Sequence, residues 1–171
     1  MSDAGPGTLR VPDGCHAVEG RIAAQDVAVV ASRYNADVVQ RLLDGAVARL
    51  VERGVAADSI SVVLVPGAWE LPLACRRLAE AGGHDAVVAL GCVIRGGTPH
   101  FEYVCSEASR GVIQAALDTG VPVSFGLLTC DTLEQALARA GGSEGNKGAE
   151  AADAALEMAG LLRALPRGSR R

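Results

Sequence analysis

The stretch Asp85–Phe101, DAVVALGCVIRGGTPHF, runs an almost unbroken apolar segment (Asp85–Ile94) into a turn of two glycines, a threonine and a proline that delivers one histidine. Ten residues rich in valine and isoleucine suit a strand by length and β-branching, and a near-continuous apolar strand is one covered on both faces. Such strands sit inside parallel sheets, between neighbours of the same kind.

Three more segments have the same character: DVAVVAS (Asp26–Ser32), SISVVLV (Ser59–Val65) and VPVSFGLLT (Val121–Thr129). Helical spacing fills the gaps. VVQRLLDGAVARLVERG follows the first, with Asn35 as the expected N-cap and Gly54 as the stop. A helix near Glu70–Ala81 ends at Gly82-Gly83, and another over Phe101–Thr119 ends at Gly120. Asp131-Thr132-Leu133-Glu134 has the spacing of an N-cap followed by a capping glutamate, and a last helix covers Asn146–Leu165. The alternation predicts an α/β fold, a parallel sheet with helices on both faces. Right-handed crossovers then gather the C-terminal ends of all the strands on one edge, where such folds bind ligands. His16–Arg21 is left as an extra strand with no obvious partner in its own sheet.

The 171 residues suffice for one domain with a real core. We expect a loose tail over 1–15, one domain over 16–165 and a short basic end over 166–171. Hydrophobic residues make up 49% and aromatic ones only 3%, so the core must be aliphatic and each aromatic needs a reason for its place. A net charge of −4 argues against a general grip on nucleic acid. Five dispersed cysteines without a CxxC pair argue against a disulfide framework or a zinc site and suggest a reducing, cytoplasmic setting. No apolar run approaches membrane-spanning length, so a membrane partner is not expected.

The residues that follow the strands carry the chemistry. Gly96-Gly97-Thr98 lets backbone approach a ligand just before a helix N-terminus, a setting for phosphate or another small anion. The plainer alternative is a tight turn with Thr98 as N-cap and Pro99 at the first helical position; the two are compatible. Neither GxGxxG nor GxxxxGK[ST] spacing occurs, which disfavours a nucleotide. At His100 a helix N-terminus disfavours imidazolium while a bound phosphate favours it, a balance suited to a general acid/base. Glu70, one residue after the only tryptophan, can accept hydrogen bonds from a polyol or favour a helix start. Tyr34 and Trp69 can line a planar ring or pack at the rim. Arg139 and Lys147 bracket a loop, Ala140–Asn146, and on their own read as solvated helix charges. His16 and His84 read as loop residues. The residues alone lead to an α/β enzyme acting on a small anionic substrate.

With GAWELP, VIRGGTPHFEYV, FGLLTCDTLEQALARAGG and GNKG in this order, the chain resembles the lumazine synthases from about Ala17 to Leu162. Departures are mild: Tyr34 stands where Phe or Trp is usual, Glu102 where Asp is common, and Cys130 where Thr is common. The resemblance implies a flavodoxin-like three-layer α/β/α sandwich with a four-stranded parallel sheet. It implies condensation of 5-amino-6-(D-ribitylamino)uracil with 3,4-dihydroxy-2-butanone 4-phosphate, without metal or organic cofactor. By the same resemblance Tyr34 stacks on the pyrimidine, while Ala68, Trp69 and Glu70 meet the ribityl chain and ring. Backbone at Cys92, Val93 and Ile94 holds the uracil, Gly97 and Thr98 take the phosphate, and His100 transfers protons. Phe125 and Arg139 come from a neighbouring subunit, Phe125 facing the ring and Arg139 the phosphate, with Lys147 a second charge nearby. It further implies a homopentamer, with a sixty-subunit icosahedral shell as the expected assembly and riboflavin synthase as a candidate partner. A shell that has lost catalysis, or a flavin- or pterin-binding module, are the competing readings. Formation of the fluorescent lumazine from both substrates separates all three.

Overall fold

Four strands form a parallel sheet in the order β2-β1-β3-β4: β1 (Val27–Ser32), β2 (Ile60–Val65), β3 (Ala86–Ile94) and β4 (Val123–Cys130). The computed structural model describes residues 26–166. The expectations for residues 1–25, the strand at His16–Arg21 among them, and for the basic end beyond Pro166 lie outside the described residues. Helices α1 (Ala36–Glu52), α2 (Leu71–Glu80), α3 (His100–Thr119), α4 (Leu133–Arg139) and α5 (Lys147–Ala164) complete the three layers.

The two-residue period of a strand sorts the core. Val27, Val29 and Ala31 of β1 join a cluster with α1 and α5, whereas Ala28 and Val30 face α2 and α3. Every residue of β1 is buried, and β3 is buried until Val93 and Ile94, which is why these two read as continuous apolar runs. β2 and β4, at the sheet edges, are only partly buried. Among the described residues the core contains no aromatic side chain.

Helix ends follow local chemistry. Gly54, Gly82 and Gly120 all take positive φ just past α1, α2 and α3, as the sequence predicts. Three caps differ from expectation. Asn35 occupies the N-cap position of α1 but at φ 54°, outside the extended conformation from which a cap side chain reaches the first turn, and it makes no side-chain cap bond. Pro99, not Thr98, stands at the cap of α3, and no side chain closes that first turn. For α4 the cap is Thr132, which accepts from Gln135 N at 3.3 Å, while Gln135 Oε1 accepts from Asp131 N at 2.9 Å. The cap and the side chain that reaches back over it therefore lie one residue later than Asp131 and Glu134.

The segment read as a loop between α4 and α5 is a small antiparallel hairpin, β5 (Ala140–Gly142) with β6 (Gly145–Asn146). It delivers Asn146 to α5, whose cap is complete: Oδ1 accepts from Gly148 N at 2.9 Å and Ala149 N at 3.1 Å. The same side chain donates from Nδ2 to Arg41 O of α1 at 2.9 Å. It fits only because Gly45 of α1 has no Cβ; one built there would lie 2.3 Å from Asn146 Nδ2. Gly148 approaches closer still, its absent Cβ falling 2.1 Å from Leu42 O. Glycines on both helices thus let α5 start directly on the backbone of α1.

Candidate active site

The strand order places β1 beside β3 while α1 and α3, which leave them, pack on opposite faces of the sheet. Chain departure in opposite directions opens a crevice at the C-terminal ends of these two strands. Hydrogen bonds tie its walls. Arg33 N donates to Val65 O at 3.0 Å, joining the segment after β1 to the end of β2. Asn35 Nδ2 donates to Cys92 O at 2.9 Å, joining the segment after β1 to β3. Arg95 N donates to Cys130 O at 2.9 Å, joining β3 to β4. Asn35 is the only non-glycine residue with positive φ among the described residues, and this bond across the crevice accounts for it.

Most of the expected site residues lie on segments at this end of the sheet. Tyr34 is 72% exposed and Trp69 57%, both on segments that follow strands. The Tyr34 ring lies against Gly67, where an added Cβ would meet it at 3.1 Å. Ala68 is buried beneath, in a 3₁₀ turn over Ala68–Glu70 that precedes α2. Glu70 Oε2 accepts from Gly67 N at 2.9 Å, so one carboxylate oxygen fixes this turn and Oε1 is left to accept from elsewhere. Cys92, Val93 and Ile94 end β3. Gly96, Gly97, Thr98 and His100 are all exposed beyond it.

The bareness of the turn is informative. Neither Gly96 nor Gly97 has positive φ, and a Cβ on either would meet nothing within 4 Å. The chain's own geometry and packing therefore do not require glycine at either position. What the missing side chains provide is room for something from outside, next to the amides that open the 20-residue helix α3.

Phe125, Arg139 and Lys147 lie elsewhere. They line an open groove of about 670 Å³ along the outer edge of β4, beside α5, and of the crevice residues named above only Cys130 borders it. Arg139 Nη1 donates to Gln135 O at 3.1 Å, and Lys147 Nζ pairs with Glu150 Oε2 at 3.0 Å. The expected site residues thus form two sets on different surfaces of one chain.

Arg95 is the residue that the sequence reading passed over. Its Nε donates to Asp131 Oδ1 at 2.7 Å, its Nη1 pairs with Glu102, and its guanidinium lies 4.2 Å from the centroid of the Phe101 ring. The Glu102 carboxyl is held below its usual range by that hydrogen bond from Arg95. An arginine next to GGTPH is a visible signal, but its partners come from 36 residues away as well as 7.

The thiols, in contrast, are quiet. Burial pushes both Cys75 and Cys92 up to about 12, so neither is a nucleophile at neutral pH, and Cys92 contributes through its carbonyl. Both are expected to resist a thiol reagent near pH 8 in the folded protein and to react on unfolding. Mass mapping of the labelled cysteines checks this, and rapid native labelling of either would contradict it.

These features define a three-layer α/β protein with an exposed, glycine-rich turn and a helix start at the C-terminal end of β3. Residues 24–163 match the family model described as 6,7-dimethyl-8-ribityllumazine synthase. The chain is 53% identical over 139 residues to the 6,7-dimethyl-8-ribityllumazine synthase of Desulfovibrio desulfuricans, covering 81% of this chain and 89% of that one. It is 57% identical over 149 residues to that of Gemmatimonas aurantiaca, covering 86% and 91%. The chain belongs to the 6,7-dimethyl-8-ribityllumazine synthase family, and so to the transferases of riboflavin biosynthesis.

Proposed function

We propose that the crevice above β1 and β3 condenses 5-amino-6-(D-ribitylamino)uracil with 3,4-dihydroxy-2-butanone 4-phosphate to give 6,7-dimethyl-8-ribityllumazine and phosphate. One observation carries the reading: an exposed Gly96-Gly97 turn, glycine without internal cause, sets the next helix start and His100 at this crevice. In it Gly97 and Thr98 take the phosphate. Tyr34 stacks on the pyrimidine, Ala68, Trp69 and Glu70 face the ribityl chain and ring, and backbone at Cys92, Val93 and Ile94 holds the uracil.

Each residue type suits its step. Imine formation, phosphate elimination and ring closure all move protons, for which an imidazole at the turn is suited. The departing phosphate needs its charge held, for which helix N–H groups and an arginine are suited. Holding two reactants together supplies much of the remaining acceleration. Mixing the purified protein with both substrates should produce the fluorescent lumazine. Binding of either substrate without product would refute the enzymatic reading.

The second set of residues enters from a neighbour in this proposal. Phe125 of one subunit closes on the ring bound by the next, and Arg139 and Lys147 bring positive charge to its phosphate. The separation of the two sets on one chain supports this. So do the exposed Leu73 of α2 and Tyr103, Ile113 and Leu117 of α3, apolar side chains that an assembly would cover. The assembly proposed is a cytoplasmic pentamer, twelve of which close into a sixty-subunit shell, with riboflavin synthase as a candidate partner. The compact β5–β6 reversal between α4 and α5 supports the shell, since Gly141 and Gly145 take φ of 98° and 76° that larger residues resist. Light scattering or negative-stain images test it, and pentamer-sized particles alone across a range of buffers would refute the shell.

Arg139→Ala is expected to weaken handling of the butanone phosphate by about 10- to 100-fold, the equivalent of ~1.5–3 kcal/mol for a charge-assisted contact. Pyrimidine affinity should stay nearly unchanged, because only one substrate carries the anion. Separate KM determinations for the two substrates check this, and equal weakening of both would contradict it.

A further inference from the structure

The turn that presents His100 has little to hold it. Gly96 and Gly97 have no side chains and stand where even an added Cβ would meet nothing within 4 Å, Pro99 has no amide proton, and no side chain caps α3. Yet a general acid/base must be placed to a fraction of an ångström. What spans the turn is a single guanidinium. Arg95, immediately before the glycines, reaches over them to the two residues immediately after His100, lying on the Phe101 ring at 4.2 Å and pairing with Glu102. Its other side is bound to Asp131 Oδ1 at 2.7 Å, just past β4, and its backbone amide donates to Cys130 O at 2.9 Å. Asp131 is itself tied down, its amide donating to Gln135 Oε1 at 2.9 Å.

We infer that Arg95 is a positioning residue for the reaction, clamping the Gly96–Pro99 turn so that His100 is held at the crevice. The inference rests on the proposed role of His100 as the proton-transfer group. Exposed ion pairs contribute little to stability, so global stability does not account for two carboxylates and a ring on one guanidinium. Geometry does. The guanidinium plane alone can stack on a ring while donating along two edges, and a lysine in its place could keep the charge but only part of this set. With its charge spent on Glu102 and Asp131, Arg95 acts through His100 and is not a phosphate ligand.

The test is a double-mutant cycle on turnover of the assembled enzyme, with Arg95→Ala, His100→Ala and the double variant compared at saturating substrates. Arg95→Ala is expected to lower kcat about tenfold or more in the presence of His100, as misplacement of a catalytic group does. In the His100→Ala background the same change should alter kcat less than about twofold, because there is no longer an imidazole to place. Arg95→Lys should recover only part of the loss. Glu102→Gln, run through the same cycle, replaces Arg95→Ala if that variant does not fold. Equal losses in both backgrounds, or no loss in either, would overturn the inference while leaving the role of His100 intact. Normal turnover of His100→Ala alone would instead refute the histidine's role, and this inference with it.

Discussion

Replacing His100 by alanine is expected to lower kcat by about 10²–10⁴-fold, the range in which general acid/base catalysis contributes. Binding of both substrates should change far less. The histidine is exposed at the first position of α3, next to a turn whose glycines leave space beside helix amides. The phosphate and the ring are gripped by other groups in the proposed site, so the loss falls on the steps that move protons. Steady-state formation of the lumazine at varied concentrations of each substrate separates the two effects. A rise in KM with kcat unchanged would make His100 a binding residue and remove it from the chemistry.

Gly148→Ala is expected to destabilise the fold by about 3 kcal/mol, the upper part of the range for forcing extra volume into a packed contact. In an open helix the change would gain nearly 1 kcal/mol, since alanine is the better helix former. Here the new methyl group would sit 2.1 Å from Leu42 O and 2.7 Å from Leu42 C, which are backbone atoms inside α1. They cannot swing aside as a side chain can, so α1 and α5 must separate, and with them the Asn146 cap that bridges to Arg41 O. For a domain of this size the thermal midpoint should fall by roughly 6–12 °C. Gly83→Ala is the control, because a Cβ there meets nothing and its φ is not positive. A midpoint for Gly148→Ala at or above that of the parent would mean that the two helices are not in this contact.

The strands could be read because burial on both faces leaves a simple mark, and β1 and β3, the two most buried, were the plainest. Helix stops could be read for a similar reason: Gly54, Gly82 and Gly120 each meet a left-handed conformation that depends on one residue. Starts were harder, because a cap is a competition. Asn35 gives its amide to Cys92 O, 57 residues away, and Thr132 displaces Asp131 by reaching Gln135 N. Nothing near either residue announces the outcome. The β5–β6 hairpin escaped because two- and three-residue strands have no period to detect. At the site, residues that follow strands were found together because topology gathers them. Arg95 was missed because its significance lies in a ring and two carboxylates that only folding brings to it. Phe125, Arg139 and Lys147 came from resemblance alone, and the fold of one chain puts them on a different surface.

An aliphatic core has a consequence for how this protein can be watched. All five aromatic residues lie outside the core, and the single tryptophan, Trp69, stands at the crevice rim. Its emission is therefore an unshared optical signal from the place where ligands are expected, with no second indole to dilute it. A ligand that covers the ring should move that emission to shorter wavelength or quench it, so occupancy can be followed without label, catalysis or product. Loosening of the interior, in contrast, would pass almost unseen by this probe. The same molecule is optically bright at its mouth and dark at its centre.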